Sequence, residues 1–151
     1  MTDSGTQGSL RAMPKQSTEP GAIAIVEDFL NALEAMDTER ALALLADDIV
    51  YQNYPLPADH GKPAVTKTLE RFLKLVDQFR VENHNIAERD GVVLTERTDV
   101  LIGPFVYLDI RVNGTFEVKD GKIVVWRDYF DVGETLLKLL IGPLRRRLHS
   151  A

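Results

Sequence analysis

Arg97 and Asp99 stand two residues apart in "LTERTDVL", a run of alternating apolar and polar side chains that reads as a β-strand. Residues two apart in a strand point to the same face, and that face also carries Val93, Thr95 and Leu101. A cation and an anion are thereby aimed at an apolar side. Two further stretches repeat the pattern. "IVYQN" groups Ile49, Tyr51 and Asn53 on one face, and "IVVWRDYFD" groups Val124, Trp126, Asp128 and Phe130. Carboxylates taken into an apolar surrounding beside a guanidinium have shifted proton affinities, and such groups carry general acid–base chemistry when they line a cleft.

Each residue also has a plainer account. Tyr51 alone reads as a core tyrosine with its hydroxyl at the edge, and Asn53 as the turn into Tyr54-Pro55. Asp128 would face solvent if the sheet exposed the side bearing Trp126. Asp131 suits the N-cap of the last helix, and Glu96, Arg127 and Asp109 read as solvated or cross-strand charges. Arg97 with Asp99 is harder to set aside, because burying an ion pair costs several kcal/mol per ion unless both are well satisfied. Structural and catalytic explanations of the pair stand level on periodicity alone.

The elements that must position these residues follow from the rest of the pattern. Pro20 opens a helix with Ile23, Val26, Phe29, Leu30 and Leu33 as its apolar stripe. Asp37 or Thr38 caps a short second helix carrying Ala41, Leu42, Leu44 and Leu45. "DDIVYQNYPLP" gives a strand running into a proline loop, and a longer helix spans about Pro63 to Gln78, burying Val65, Leu69, Phe72, Leu73 and Val76. From Phe79 the period changes to strands, with Asp90-Gly91 and Asp120-Gly121 as hairpin turns and a break at Gly103-Pro104. A final helix starts after Asp131 and breaks at Gly142-Pro143. Strands grouped after helices predict an α+β domain, a mostly antiparallel sheet with helices on one face. Strong curvature of that sheet would leave a cone-shaped pocket against the helices.

Composition narrows the function. The 151 residues fit one domain, expected over 20–148 behind a disordered leader over 1–19. A formal net charge of −5 argues against nucleic-acid binding. The absence of cysteine removes disulfides, thiolate chemistry and cysteine-ligated zinc. His60, His84 and His149 lack metal-ligand spacing and read as surface or loop residues. No apolar run reaches the roughly 18 residues of a membrane span, and the N-terminus lacks the apolar core of a signal peptide. A cytoplasmic location is the expectation. The basic end "LRRRLHS" reads as solvated arginines behind an apolar stretch that closes the pocket, in preference to a membrane or partner contact.

"YQNYPLP", "GKPAVTKTL", "LTERTDVL" and "DGKIVVWRDYFD", in this order, resemble the limonene-1,2-epoxide hydrolase family from about the first helix to Asp131. The resemblance implies a curved, mixed sheet of the nuclear-transport-factor-2-like (NTF2-like, SnoaL-like, cystatin-like α+β) class and hydrolysis of an epoxide without a covalent intermediate. By position, Asp128 is then the base, Tyr51 and Asn53 hold the water, Asp99 is the acid, and Arg97 orients both carboxylates. Parity, the family pattern and the helix stripes together put Phe72, Val76, Leu101, Ile110, Val112, Trp126 and Phe130 around a small hydrophobic epoxide, although each reads nearly as well as plain core. Phe29 and Leu33 are expected in the core. No cofactor or metal is expected, and the fold class suggests a homodimer through its open sheet face. An isomerase or cyclase, or a lipid- or steroid-binding protein without catalysis, would use the same scaffold.

Overall fold

A computed structural model describes residues 20–149, with side chains described to residue 140; the leader expected over 1–19 lies outside the described residues. Helix α1 (Ala22–Glu34) buries Ile25, Val26, Phe29, Leu30 and Leu33 on one stripe. Pro20 lies ahead of the Gly21 N-cap, outside the first turn where it was expected. Helix α2 (Thr38–Ala43) is capped by the Asp37 side chain, which accepts from the Arg40 backbone N–H at 3.0 Å. It ends sooner than its apolar pattern suggests. Leu44 is already its C-cap and Leu45 opens β1 (Leu45–Tyr54), because Leu45 faces the sheet core.

Helix α3 (Lys62–Leu73) follows the short β2 (Asp59–His60) and stops five residues before the expected Gln78. Gln78 instead begins β3 (Gln78–Arg89), so the apolar residues just before it belong to a turn and not to a helical stripe. Strands β4 (Val92–Ile102), β5 (Tyr107–Lys119) and β6 (Lys122–Tyr129) complete the meander, with Asp90-Gly91 and Asp120-Gly121 at the hairpin turns as the sequence indicates. Asp131 Oδ1 accepts from the Glu134 N–H at 2.9 Å and caps α4 (Val132–His149). Helix α4 continues through Gly142-Pro143, where a break was expected. A proline forfeits one backbone bond and bends a helix without necessarily ending it.

The six strands form one curved sheet in the order β2-β1-β6-β5-β4-β3. β1 and β6 pair in parallel, and every other neighbouring pair is antiparallel. Curvature has a local cause in the register shifts at Leu45/Val50, Asn83/Asn85 and Glu117/Val118, since an extra residue on one strand bends and twists the ladder. The shift beside Val118 also explains a parity that the sequence pattern misassigns. Ile123, not Val124, is fully buried at the start of β6, while Trp126 and Asp128 keep the expected inward phase. Helices α1 and α3 cover the concave face, and Phe29, Phe116 and Trp126 interlock edge-on and stacked at the centre of the core.

Candidate active site

Strand register gathers the polar residues. On the parallel β1–β6 pair, Asn53 lies opposite Asp128 and Tyr51 opposite Trp126. Across β5, Asp128 lies opposite Gly114, and Gly114 opposite Thr95 on β4. One transverse row of the sheet therefore reads Asn53, Asp128, Gly114, Thr95. The neighbouring row reads Tyr51, Trp126, Phe116, Val93, an apolar floor beneath the polar one.

Arg97 ties this row to Asp99. It is 1% exposed and the largest fully buried side chain among the described residues. Its Nε donates to Asp99 Oδ1 at 2.9 Å, and Nη2 donates to Asp99 Oδ2 at 3.2 Å and to Asp128 Oδ2 at 2.8 Å. Nη1 donates to Thr95 Oγ1 at 3.1 Å, and the guanidinium carbon lies 5.9 Å from the centre of the Phe116 ring. A planar, delocalised cation can satisfy three partners at fixed angles, which a lysine ammonium would not reproduce. On the other side of Asp128, Asn53 Nδ2 donates to the Tyr51 hydroxyl at 2.5 Å, and the Tyr51 ring stacks on Trp126 with centroids 4.0 Å apart. Asp128 Oδ1 is buried with no hydrogen-bond partner.

Charge balance governs the protonation of this cluster. One guanidinium faces two carboxylates, so the doubly ionised state would leave an excess negative charge in an apolar cavity, while one retained proton makes the group neutral. Asp99 accordingly has its pKa raised to about 6, by burial above all, opposed by Arg97 and helped by the negative charge of Asp128. Burial raises Asp128 as well, against Arg97 and against the Trp126 indole N–H, which points toward it without reaching hydrogen-bond geometry. Burial also opposes the charge on Arg97, but Asp128 and Asp99 outweigh it, so the cation is held more firmly than in water. Tyr51 is raised by burial and then by Asp128, which keeps its phenol protonated and able to donate.

These groups lie in the wall of a cavity of about 310 Å³ whose other walls are apolar. Of the wall residues expected from sequence, Phe72, Leu101, Ile110, Val112, Trp126 and Phe130 all line it. Val76 does not. It is buried in the turn after α3, and with the helix ending at Leu73 it is Leu75 that reaches the cavity. Leu33, expected in the core, is both buried and part of the wall, while Phe29 is core alone. Leu30, Leu69, Phe79, Thr68 and Thr135 also line the cavity without having been singled out for it. Among the described side chains of α4, Thr135 lines the cavity, while Leu136, Leu137, Leu139 and Leu140 are exposed and do not close it; Ile141, the last residue of the stretch expected to do so, lies outside the described side chains. The arginines of the basic end lie outside the described side chains.

Thr95 and Gly114 were visible in the sequence, Thr95 on the inward face and Gly114 as a glycine inside a strand. An interior strand glycine often marks a close approach, but only the register shows what approaches here. The expected surface charges behave as such: Arg127 lies 3.6 Å from Glu117 on the adjoining strand, Asn85 donates to Glu96, and Asp109 pairs with Lys138 of α4. Among the described residues, no group of three or more His, Asp or Glu side chains is arranged to hold a metal ion, and no helix is long and apolar enough to cross a membrane.

Comparison with known proteins agrees with this fold. The model of the limonene-1,2-epoxide hydrolase catalytic domain matches residues 20–142. Epoxide hydrolase EphG of Mycobacterium tuberculosis is 43% identical over 117 residues, covering 78% of each chain. A solved structure of an LEH-like epoxide hydrolase from M. tuberculosis superposes with a TM-score of 0.76 at 41% identity, covering 84% of this chain and 95% of that one. An NTF2-like protein of Cytophaga hutchinsonii shares the fold alone, with a TM-score of 0.66 at 17% identity over 80% of this chain and 98% of its own.

Proposed function

The chain belongs to the limonene-1,2-epoxide hydrolase family and is an epoxide hydrolase, and from that premise we propose that it adds water to a lipophilic epoxide in one step, giving a vicinal diol. The observation that carries this reading is the free Asp128 Oδ1, buried beside the Tyr51–Asn53 pair and joined to Asp99 through a single guanidinium nitrogen. Because Asn53 spends its N–H on Tyr51, its Oδ1 is left as an acceptor and the Tyr51 O–H as a donor. A water there would donate one hydrogen to Asp128 Oδ1 and one to Asn53, and accept from Tyr51. One lone pair then remains for the ring carbon.

As that water oxygen bonds to carbon, its proton passes to Asp128 and the carbon–oxygen bond of the ring breaks. The leaving oxygen takes the proton of Asp99. Asp128 ends protonated and Asp99 ionised, so the pair has exchanged its single proton between its two ends. Return to the starting state needs only one proton to move back, directly or through solvent, along groups that share Arg97 Nη2. The longer of the two Asp99 contacts, at 3.2 Å, is the one that a proton on Oδ2 displaces at least loss. The apolar cavity admits a lipophilic epoxide and excludes bulk water from the developing charges.

Incubation of apolar epoxides with wild type, Asp128→Asn and Asp99→Asn tests the proposal. Diol from wild type and at most trace product from either variant is the expected result. Wild type that binds these ligands and converts none would remove the hydrolase reading in favour of a carrier. A single turnover in oxygen-labelled water distinguishes the mechanism: label in the diol supports direct attack, and unlabelled diol would mean that a carboxylate ester formed first.

A further inference from the structure

Gly114 and Thr95 stand in the row that contains Asp128, Gly114 on β5, the one strand between Asp128 and β4, and Thr95 on β4 itself, where Arg97 also originates. To reach Asp128 Oδ2, the guanidinium must cross over β5, and the residue of β5 beneath its path is Gly114. A Cβ at this position would come within 2.6 Å of Thr95 Oγ1 and 2.9 Å of the Phe116 ring, and would overlap Arg97 Nη1. Real Cβ contacts essentially never fall below 3.0 Å, so any side chain at 114 displaces the cation or its neighbours.

The missing side chain makes room, and Thr95 fixes the position within it. Thr95 is 3% exposed, and its Oγ1 is the acceptor for Nη1, the guanidinium nitrogen that serves neither carboxylate. Phe116 forms the floor, with its ring facing the guanidinium carbon.

We propose that Gly114 and Thr95 form a dedicated seat for Arg97 and are positioning residues for the reaction, setting the angle at which one guanidinium presents Nη2 to both carboxylates. The inference rests on the proposed acid–base roles of Asp99 and Asp128 but assigns neither Thr95 nor Gly114 any contact with substrate. Its physical basis is that Arg97 is the hydrogen-bonded link between Asp99 on β4 and Asp128 on β6. Without the Thr95 acceptor, the buried Nη1–H loses its partner and the plane is free to tilt toward another. Misplacing a catalytic constellation by about 1 Å costs on the order of 100-fold in rate.

The test compares Thr95→Val, which keeps the shape and removes the acceptor, with Thr95→Ser, which keeps the acceptor. Thr95→Val is expected to lower kcat by about 10- to 100-fold with little change in KM, and to move the alkaline limb of the pH profile upward, since a loosened guanidinium stabilises the carboxylates less. Thr95→Ser should recover kcat and pH profile together. A Thr95→Val enzyme that melts at a lower temperature but keeps the wild-type profile and kcat would overturn the proposal. So would a Thr95→Ser enzyme as impaired as Thr95→Val, because packing alone would then explain both. Thr95→Ala takes the place of valine if that variant does not fold. The Arg97 Nε–H resonance gives a readout that needs no turnover: slow to exchange in wild type and Thr95→Ser, broadened in Thr95→Val. That signal would still judge the seat if no epoxide proved to be a substrate.

Discussion

Replacing Asp99 with asparagine separates two roles that a buried acidic residue can play. If Asp99 is held for its proton, the folded protein bears a cost whenever it is ionised. The rise of its pKa from 3.8 to about 6 corresponds to about 3 kcal/mol between the neutral and charged forms in the folded state. The side chain is only 10% exposed, so solvent screening removes little of that. Between pH 3.8 and about 6 the folded protein binds more protons at this site than the unfolded chain does, so this group makes stability fall as pH rises, and the loss is complete above that window. Asparagine imitates the neutral acid and escapes the cost. Its amide also sets an N–H against Arg97 Nη2, where Oδ2 now accepts at 3.2 Å, an opposition worth roughly 1 kcal/mol. Asp99→Asn is therefore expected to be about 2 kcal/mol more stable than wild type at pH 7.5 and slightly less stable at pH 4. Its turnover should fall by about 100- to 10,000-fold for want of a general acid. Urea denaturation at both pH values, beside diol formation, makes the comparison. A variant less stable than wild type at pH 7.5 would refute the reasoning, because Asp99 would then be an ordinary ionised partner of Arg97 and no proton donor.

Wild-type kcat/KM should fall as pH rises through the upper titration of the pair, where Asp99 loses its proton, and again at low pH where Asp128 gains one; a profile flat from pH 5 to pH 9 would contradict a shared proton. Arg97→Lys keeps the charge but cannot reach Asp99, Asp128 and Thr95 at once, so a loss of at least about 100-fold in kcat is expected, measured by diol formation on folded protein. Tyr51→Phe keeps the stack on Trp126 and removes one of the three contacts proposed for the water. It should slow turnover by about 10-fold or more while leaving binding of an epoxide unchanged in a calorimetric titration. Gly114→Ala should abolish turnover and lower the unfolding midpoint, and a variant with wild-type activity would mean that the Arg97 path tolerates a methyl.

Much of the site was legible because strand parity is a strict period. Val93, Thr95, Arg97, Asp99 and Leu101 face inward together, as alternation requires, and the Asp-Gly turns fix where β4 and β6 begin. What parity could not give is the partner across the sheet. Nothing in "IVYQN" says that β1 pairs in parallel with β6, the last strand of the meander, and that pairing alone puts Asn53 opposite Asp128. Bulges defeat parity in the other direction, as Ile123 shows by displacing Val124 from the core. Helix ends were misplaced where apolar residues run past a cap: Leu45 continues the stripe of α2, and Val76 that of α3, yet both lie beyond the helices. Thr95 and Gly114 looked like filler because their use depends on a side chain arriving from another strand position.

The two ends of the sheet contribute unequal parts of the chemistry, and the join between them explains why the cation must be an arginine. Tyr51 and Asn53, for which the water-holding role is proposed, and Asp128 come from β1 and β6, whereas Asp99 comes from β4, with β5 between. A carboxylate cannot bridge that gap, and a second base on β5 would stand where the guanidinium passes. Arg97 crosses it with a planar group long enough to touch both sides, and it does so above a glycine. Its charge then limits the cluster to one retained proton, since a second would leave a net positive charge in the apolar cavity and none a net negative one. In the proposed mechanism, electrostatics thereby sets the proton count and strand register sets where that proton is exchanged. A protein that kept Asp99 and Asp128 but filled position 114 would retain both acids and lose the coupling between them.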